Sequence, residues 1–204
     1  MADVLITAGA TRNPLDAIRY LSAHATGRTG VDLAARLALR HRVLLLGSTE
    51  ACLRAPPEQD TETYTSTRDL MAQMERWCRA HPDGVVIHSA AVGDYEAAAR
   101  TDKIPSGQPC ITFTLTPTPK IVDHLRDWCP GLFLVSFKAA DPSVTLAELE
   151  AIARAQLVRT RSDLVFANCI GRIDRDVLLV RPDRTDHHAD RAAAIDALVA
   201  TIDR

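Results

Sequence analysis

Lysine is nearly missing from this chain. Of the 24 basic residues in 204, only Lys103, Lys120 and Lys138 are lysines, and the rest are arginines. Long apolar runs are missing too: nothing approaches the ~20 residues a membrane helix needs. The opening MADVLITAG shows no basic leader or cleavage pattern. Together these predict a cytoplasmic protein. A strong charge of either sign is lacking, since the formal net charge is -2, which argues against a general affinity for nucleic acid or anionic membrane. Any anion it binds must be gripped locally. The five cysteines, Cys52, Cys78, Cys110, Cys129 and Cys169, form no C-x-x-C pair. Their odd number and wide spacing argue against a disulfide framework and against a zinc site, so reduced, mostly buried thiols are expected. Two nucleotide signatures are also absent. Gly9 is followed by Ala10 and Thr11 rather than by the rest of G-x-G-x-x-G, and no Gly-Lys-Ser/Thr occurs. The first absence counts against a nicotinamide oxidoreductase.

What is present is alternation. Short apolar runs at 3–8, 42–47, 84–89, 110–116, 132–137, 163–167 and 177–181 read as strands. Between most of them, at 30–40, 66–81, 119–128, 144–160 and 189–202, apolar residues recur at three- and four-residue spacing, as helices require. Strands alternating with helices predict one α/β domain over 1–204, a Rossmann-like, mainly parallel sheet with helices on both faces. The near-continuous apolar strands agree, because a parallel sheet is covered on both sides. Ligands in such sheets sit beyond the carboxyl ends of the strands, which directs attention to 7–30, 89–108 and 137–142. The 95–108 connection, ending in Pro, Ser and Gly, reads as a mobile loop and a candidate lid.

The segment ITAGATRNPLDAIRYLSAHATGRTG, Ile6 to Gly30, follows the first strand with three glycines and three arginines. Amides freed by glycine near a helix start make an anion cradle. TAGAT supplies one such turn and ATGRTG a second, just before the 30–40 helix. Tight strand-to-helix turns would explain Gly9, Gly27 and Gly30 equally well on spacing alone.

The order of this segment, SAAVGDY, DKI, FTLTPTPKIV, LVSFKAAD and SDLVFAN resembles the phosphopantothenoylcysteine synthetase family over nearly the whole chain. That resemblance implies a ligase of coenzyme A biosynthesis in which a carboxylate attacks the α-phosphate of CTP (ATP in eukaryotic relatives). An acyl-nucleotidylate forms, an amine then captures the acyl group, and Mg2+ accompanies the triphosphate. It implies a homodimer, for which the 110–116 and 177–181 runs are the candidate surfaces. By the same resemblance Gly9, Ala10, Thr11, Thr26, Gly27, Ala90, Ala91, Asp94 and Phe137 hold the nucleotide. Arg19, Ala23 and Asn168 face the acidic substrate, and Lys103 and Asp94 serve the chemistry; Lys138, which the pattern lacks, joins the catalytic candidates as charge moved into the same pocket. No dedicated metal ligands are implied, and no partner beyond small molecules and a second copy.

The pattern also breaks. The family's asparagine in ISNxSSG falls on Ala23, which offers no side-chain hydrogen bond. The later lysines of KIKK become Pro105 and Ser106, and the lysines before DLIVAN become Gln156 and Thr160. Lys120 and Lys138 are new where the pattern has an acid and a small residue. All three lysines therefore lie in motifs of the resemblance, as though charge had moved around one pocket. The expectation is a CTP-dependent ligase-type enzyme with a changed acidic substrate; the alternative is a non-catalytic nucleotide-binding subunit of the same fold.

Overall fold

The computed structural model describes residues 1–203. Its elements in chain order are β1 (Asp3–Ala8), β2 (Arg12–Pro14), β3 (Tyr20–Ser22), α1 (Arg28–Leu37), β4 (Arg42–Gly47), α2 (Thr49–Cys52), β5 (Thr61–Thr63), α3 (Thr67–Ala80) and β6 (Val85–His88). There follow β7 (Tyr95–Ala97), β8 (Leu115–Pro117), α4 (Ile121–Trp128), β9 (Phe133–Ala140), α5 (Leu146–Thr160), β10 (Leu164–Cys169), β11 (Val177–Val180), β12 (Thr185–His188) and α6 (Arg191–Ile202). Eight strands form one sheet in the order β12-β11-β10-β9-β6-β1-β4-β5. Pairing is parallel from β5 to β10, and the antiparallel β11 and β12 close the far edge. This is the expected Rossmann-like architecture.

Strand β1 shows why the strands are apolar throughout. Val4, Ile6 and Ala8 pack on one face with Leu33 and Leu37 of α1 and Leu198 of α6. Leu5 points to the other face, among Leu70 and Met74 of α3 and Leu125 of α4. With both faces covered, neither parity of the strand can be polar. Helix α1 meets its face through Gly30, Leu33, Ala34 and Leu37, the three- and four-residue spacing that places side chains along one stripe.

Three expectations need correction. The 177–181 run is no surface, because β11 pairs on both sides and all four of its residues are buried. The edge it was taken to offer is covered by the polar β12. The 110–116 run pairs only from Leu115, as β8 against β7. Its alternation has no core to face, and Ile111 and Leu115 stay exposed. Nor is the 95–108 connection loose throughout: it begins as β7, and Ile104 is buried. The Ile104 backbone N–H donates to the buried carboxylate of Asp16 at 3.0 Å. Asp16 also accepts the backbone N–H groups of Ile18 and Arg19, and the Arg19 guanidinium is ion-paired with it. Burial alone would raise the Asp16 pKa. The backbone donors of Ile104, Ile18 and Arg19, with the Arg19 guanidinium, outweigh burial and hold it well below the usual carboxylate range.

Candidate functional site

In strand order β1 stands between β4 and β6. The chain first winds outward through α1 to β4 and β5, then returns through α3 to β6 on the other side. Ligand crevices in open α/β sheets form at such a reversal, beyond the carboxyl ends of the strands. Here those ends run on as a short parallel extension. The Ala91 N–H donates to the Gly9 carbonyl at 2.8 Å and the Thr11 N–H to the Ala91 carbonyl at 3.1 Å.

Two glycines make the turn fit. Gly9 has φ +89, and a Cβ there would stand 2.2 Å from Ser48 Oγ. Gly27 has φ +74, and its Cβ would meet that of Ala51 at 2.6 Å. Both conformation and space exclude a side chain.

Two adjoining cavities open here. The first, of about 380 Å³, is lined in part by His88 to Val92, Asp94, Lys120, Phe137, Lys138, Gln156 and Asn168. The second, of about 620 Å³, is lined in part by Gly9, His24 to Gly30 and Asp174. Thr29, Ser89 and Arg191 belong to both. A third hollow of about 310 Å³ lies against Ala10, Arg12, Tyr20, Ala23, Thr26 and Glu50.

The residues singled out in the sequence divide accordingly. Ala90, Ala91, Asp94, Phe137, Lys138 and Asn168 gather in the first cavity, and Gly9, Thr26 and Gly27 in the second. Ala10 and Ala23 line the third hollow. Thr11, Arg19 and Lys103 line none of these. Thr11 is fully buried, and its Oγ1 accepts the Gly93 N–H at 2.8 Å, so it braces the turn from behind. Arg19 is engaged with Asp16 and with the Ile104 carbonyl at 3.3 Å. Lys103 is exposed. Asp94 is ion-paired with Lys120 across the mouth of the first cavity.

The electrostatics favour an anion. Four of the six helices are capped by a side chain: Ser48 for α2, Ser66 for α3, Thr145 for α5 and Asp190 for α6. The two without one are α1, which begins at the second cavity, and α4, which begins at the first. Their first N–H groups keep their donor capacity and partial positive charge for something else. Lys138 and Arg191, neither with an acid within 4.0 Å, add charge to the first cavity; Lys120 and Arg159 also line it but are ion-paired with Asp94 and Asp123.

Sequence reasoning missed several lining residues. His88 is buried, with Nδ1 2.9 Å from Thr7 Oγ1, and burial pushes its pKa down to about 4, so the ring is neutral near pH 7. Gln156 Nε2 donates to Ser136 Oγ at 3.0 Å and to the Phe137 carbonyl at 3.1 Å. The position of a pattern lysine thus holds a neutral, hydrogen-bonded floor. His88 ends the strand that leads into SAAVGDY and was within reach of the motif. Arg191 had no local signal, since its partner Thr29 is 162 residues away. Among the described residues no three His, Cys, Asp or Glu side chains gather to hold a metal ion, and no helix is long and apolar enough to cross a membrane.

Comparison with known proteins adds identity. The chain is 37% identical over 184 residues to the coenzyme A biosynthesis bifunctional protein CoaBC of Thermococcus kodakarensis, covering 88% of this chain and 45% of that protein. It is 30% identical over 181 residues to the Escherichia coli protein of the same name, covering 83% and 41%. The chain therefore spans about half the length of the curated relatives it matches. The crystal structure of the DNA/pantothenate metabolism flavoprotein from Streptococcus pneumoniae superposes with a TM-score of 0.88 at 25% identity, covering 99% of this chain and 98% of that one. The description "DNA/pantothenate metabolism flavoprotein C-terminal domain" matches residues 1–190, and the chain belongs to that family.

Proposed function

We propose that the chain is a CTP-dependent ligase of the phosphopantothenate–cysteine type, working as a homodimer. It activates a carboxylate as a nucleotidylate and passes the acyl group to an amine. The observation that carries this reading is the convergence of six motif residues on one cationic cavity, against a second cavity built from the glycine turns. The coenzyme A biosynthesis names of the relatives support the same chemistry.

In this reading the base and ribose occupy the first cavity, with Phe137 giving an apolar surface and Asp94 accepting ribose hydroxyls after parting from Lys120. The triphosphate runs toward Gly9, Thr26 and Gly27, where the uncapped α1 receives it. Mg2+ would offset charge on the triphosphate; among the described residues no cluster of ligating side chains stands ready for it, and Asp32 and Asp174, the acids lining the second cavity, would join the phosphates in holding it. Lys138 stabilises charge building on the α-phosphate as the carboxylate attacks and pyrophosphate leaves. The acidic substrate lies toward Ala23 in the third hollow, while Asn168 stands in the first cavity with the base and ribose. Without the pattern's asparagine at 23, that side accepts an acid other than phosphopantothenate.

The test is pyrophosphate release from CTP with Mg2+ over a panel of carboxylates that includes phosphopantothenate, with cysteine and other amines as acceptors. Acid-dependent release of one pyrophosphate per acyl group transferred is expected. Saturable CTP binding with no release for any acid would replace the ligase with the nucleotide-binding subunit. Efficient turnover of phosphopantothenate would remove the changed substrate.

A further inference from the structure

Arginines in this protein nearly all have an acid. Among the described residues those without one within 4.0 Å are Arg28, Arg54, Arg100, Arg175 and Arg191. The first four are exposed to water, whereas Arg191 is not. Its guanidinium lies 5.2 Å from the centre of the Phe166 ring, donates to Thr29 Oγ1 at 2.9 Å and to the Ile173 carbonyl at 3.1 Å, and lines both cavities where they join. Asp174, which also lines the second cavity, acts on it from beyond 4.0 Å; with no acid in contact, a partly buried cation held by neutral oxygens and a ring face is under-compensated, and that is costly. Its surroundings keep the planar group in one orientation, with the two cavities on its open side.

We infer that Arg191 is a polyphosphate-binding residue, the anion in contact with it being the phosphate chain of the nucleotide as that chain crosses from the first cavity to the second. The identity of the anion rests on the ligase reading above; the anion site itself does not. Two or more phosphates are required, because the residue stands at the junction and a single phosphate on the glycine turns would leave the first cavity untouched.

The test uses inorganic tripolyphosphate as well as CTP, by calorimetry on the wild type, Arg191→Met, Arg191→Lys and the exposed control Arg175→Met. Methionine keeps apolar bulk over Phe166 and removes the charge. Arg191→Met should weaken tripolyphosphate and CTP about 10- to 100-fold, the range for a hydrogen bond to a charged group, with Arg191→Lys recovering part and Arg175→Met unchanged. The melting temperature without ligand should hold or rise in Arg191→Met, since a partly buried charge with no acid in contact has gone. A clear fall there with unchanged affinity would mean that Arg191 merely ties α6 to α1, and would overturn the proposal. So would a wild type that binds no tripolyphosphate. If tripolyphosphate binds through Arg191 but no acid triggers pyrophosphate release, the ligase reading fails and the anion site stands. If CTP turns over normally in Arg191→Met, the reverse holds.

Discussion

Lys138 and Lys103 were paired by the sequence as one relocated charge, and the structure separates them. Lys138 stands in the first cavity, while Lys103 is exposed on the far side of the Asp16 anchor and lines none of the three hollows. Groups that share no partner act independently. Each alanine substitution should therefore lower turnover by its own factor, with Lys138→Ala costing about 10²-fold as a lost charge-stabilising donor. The double mutant should show the product of the two factors in steady-state pyrophosphate release. A double mutant no worse than Lys138→Ala, with Lys103→Ala alone clearly slowed, would restore the shared-charge view. At this scale the sequence was legible wherever a residue sits inside a continuous motif, as Ala90, Ala91 and Asp94 do. It was silent on Arg191, whose contact across 162 residues leaves no local spacing to read, and at Gln156 it marked the position but not the hydrogen bonds that make it a neutral floor. It misled at Thr11, whose hydroxyl is spent behind the turn.

Helices and central strands were readable because burial imposes a period, 3.6 on the helices and unbroken apolarity on the doubly covered strands. The small elements were not. Strand β5, Thr-Glu-Thr, is fully exposed and held by its backbone pairing to β4, so no hydrophobic pattern marks it. The β2–β3 ladder owes its place to a carboxylate rather than to a core, since Asp16 sits inside its turn and reaches across to Ile104. That dependence has a pH signature. The folded Asp16 pKa lies far below the unfolded value of about 3.9. Its contribution to stability is therefore complete above about pH 4 and is lost as pH falls below that, toward the folded pKa. Asp16→Asn should be less stable than wild type at neutral pH, and the difference should shrink below about pH 4 in urea titrations. The variant should also be cut faster by protease within 98–110, because the Ile104 anchor is weakened. Equal cleavage rates would mean that the connection is held elsewhere.

At the scale of the whole molecule exposed large apolar side chains are spread over the surface, Leu39, Leu53 and Val158 among them, but four meet on the two small ladders: Ile18 and Tyr20 at β2–β3, Tyr95 and Leu115 in β7–β8. The ladders adjoin, with Asn13 Nδ2 donating to the Tyr95 carbonyl at 2.9 Å. With β11 withdrawn into the sheet, this face is where the proposed homodimer would meet. Light scattering at micromolar concentration should give twice the mass of the 22.3 kDa chain, and Leu115→Glu should lower it toward one; a monomeric wild type would end the dimer reading. The position of β1 bears on synthesis as well. The earliest strand of this sheet in chain order lies in its interior, so β4 and β6 can pair with it early and half the sheet is available once His88 has left the ribosome. The strand that covers the open side of β6 is β9, which begins about 45 residues later. At translation rates of roughly 5–20 residues per second, the nascent chain carries a bare apolar sheet edge for several seconds. The interval between the two halves of the sheet, more than the stability of the finished fold, sets its demand on chaperones.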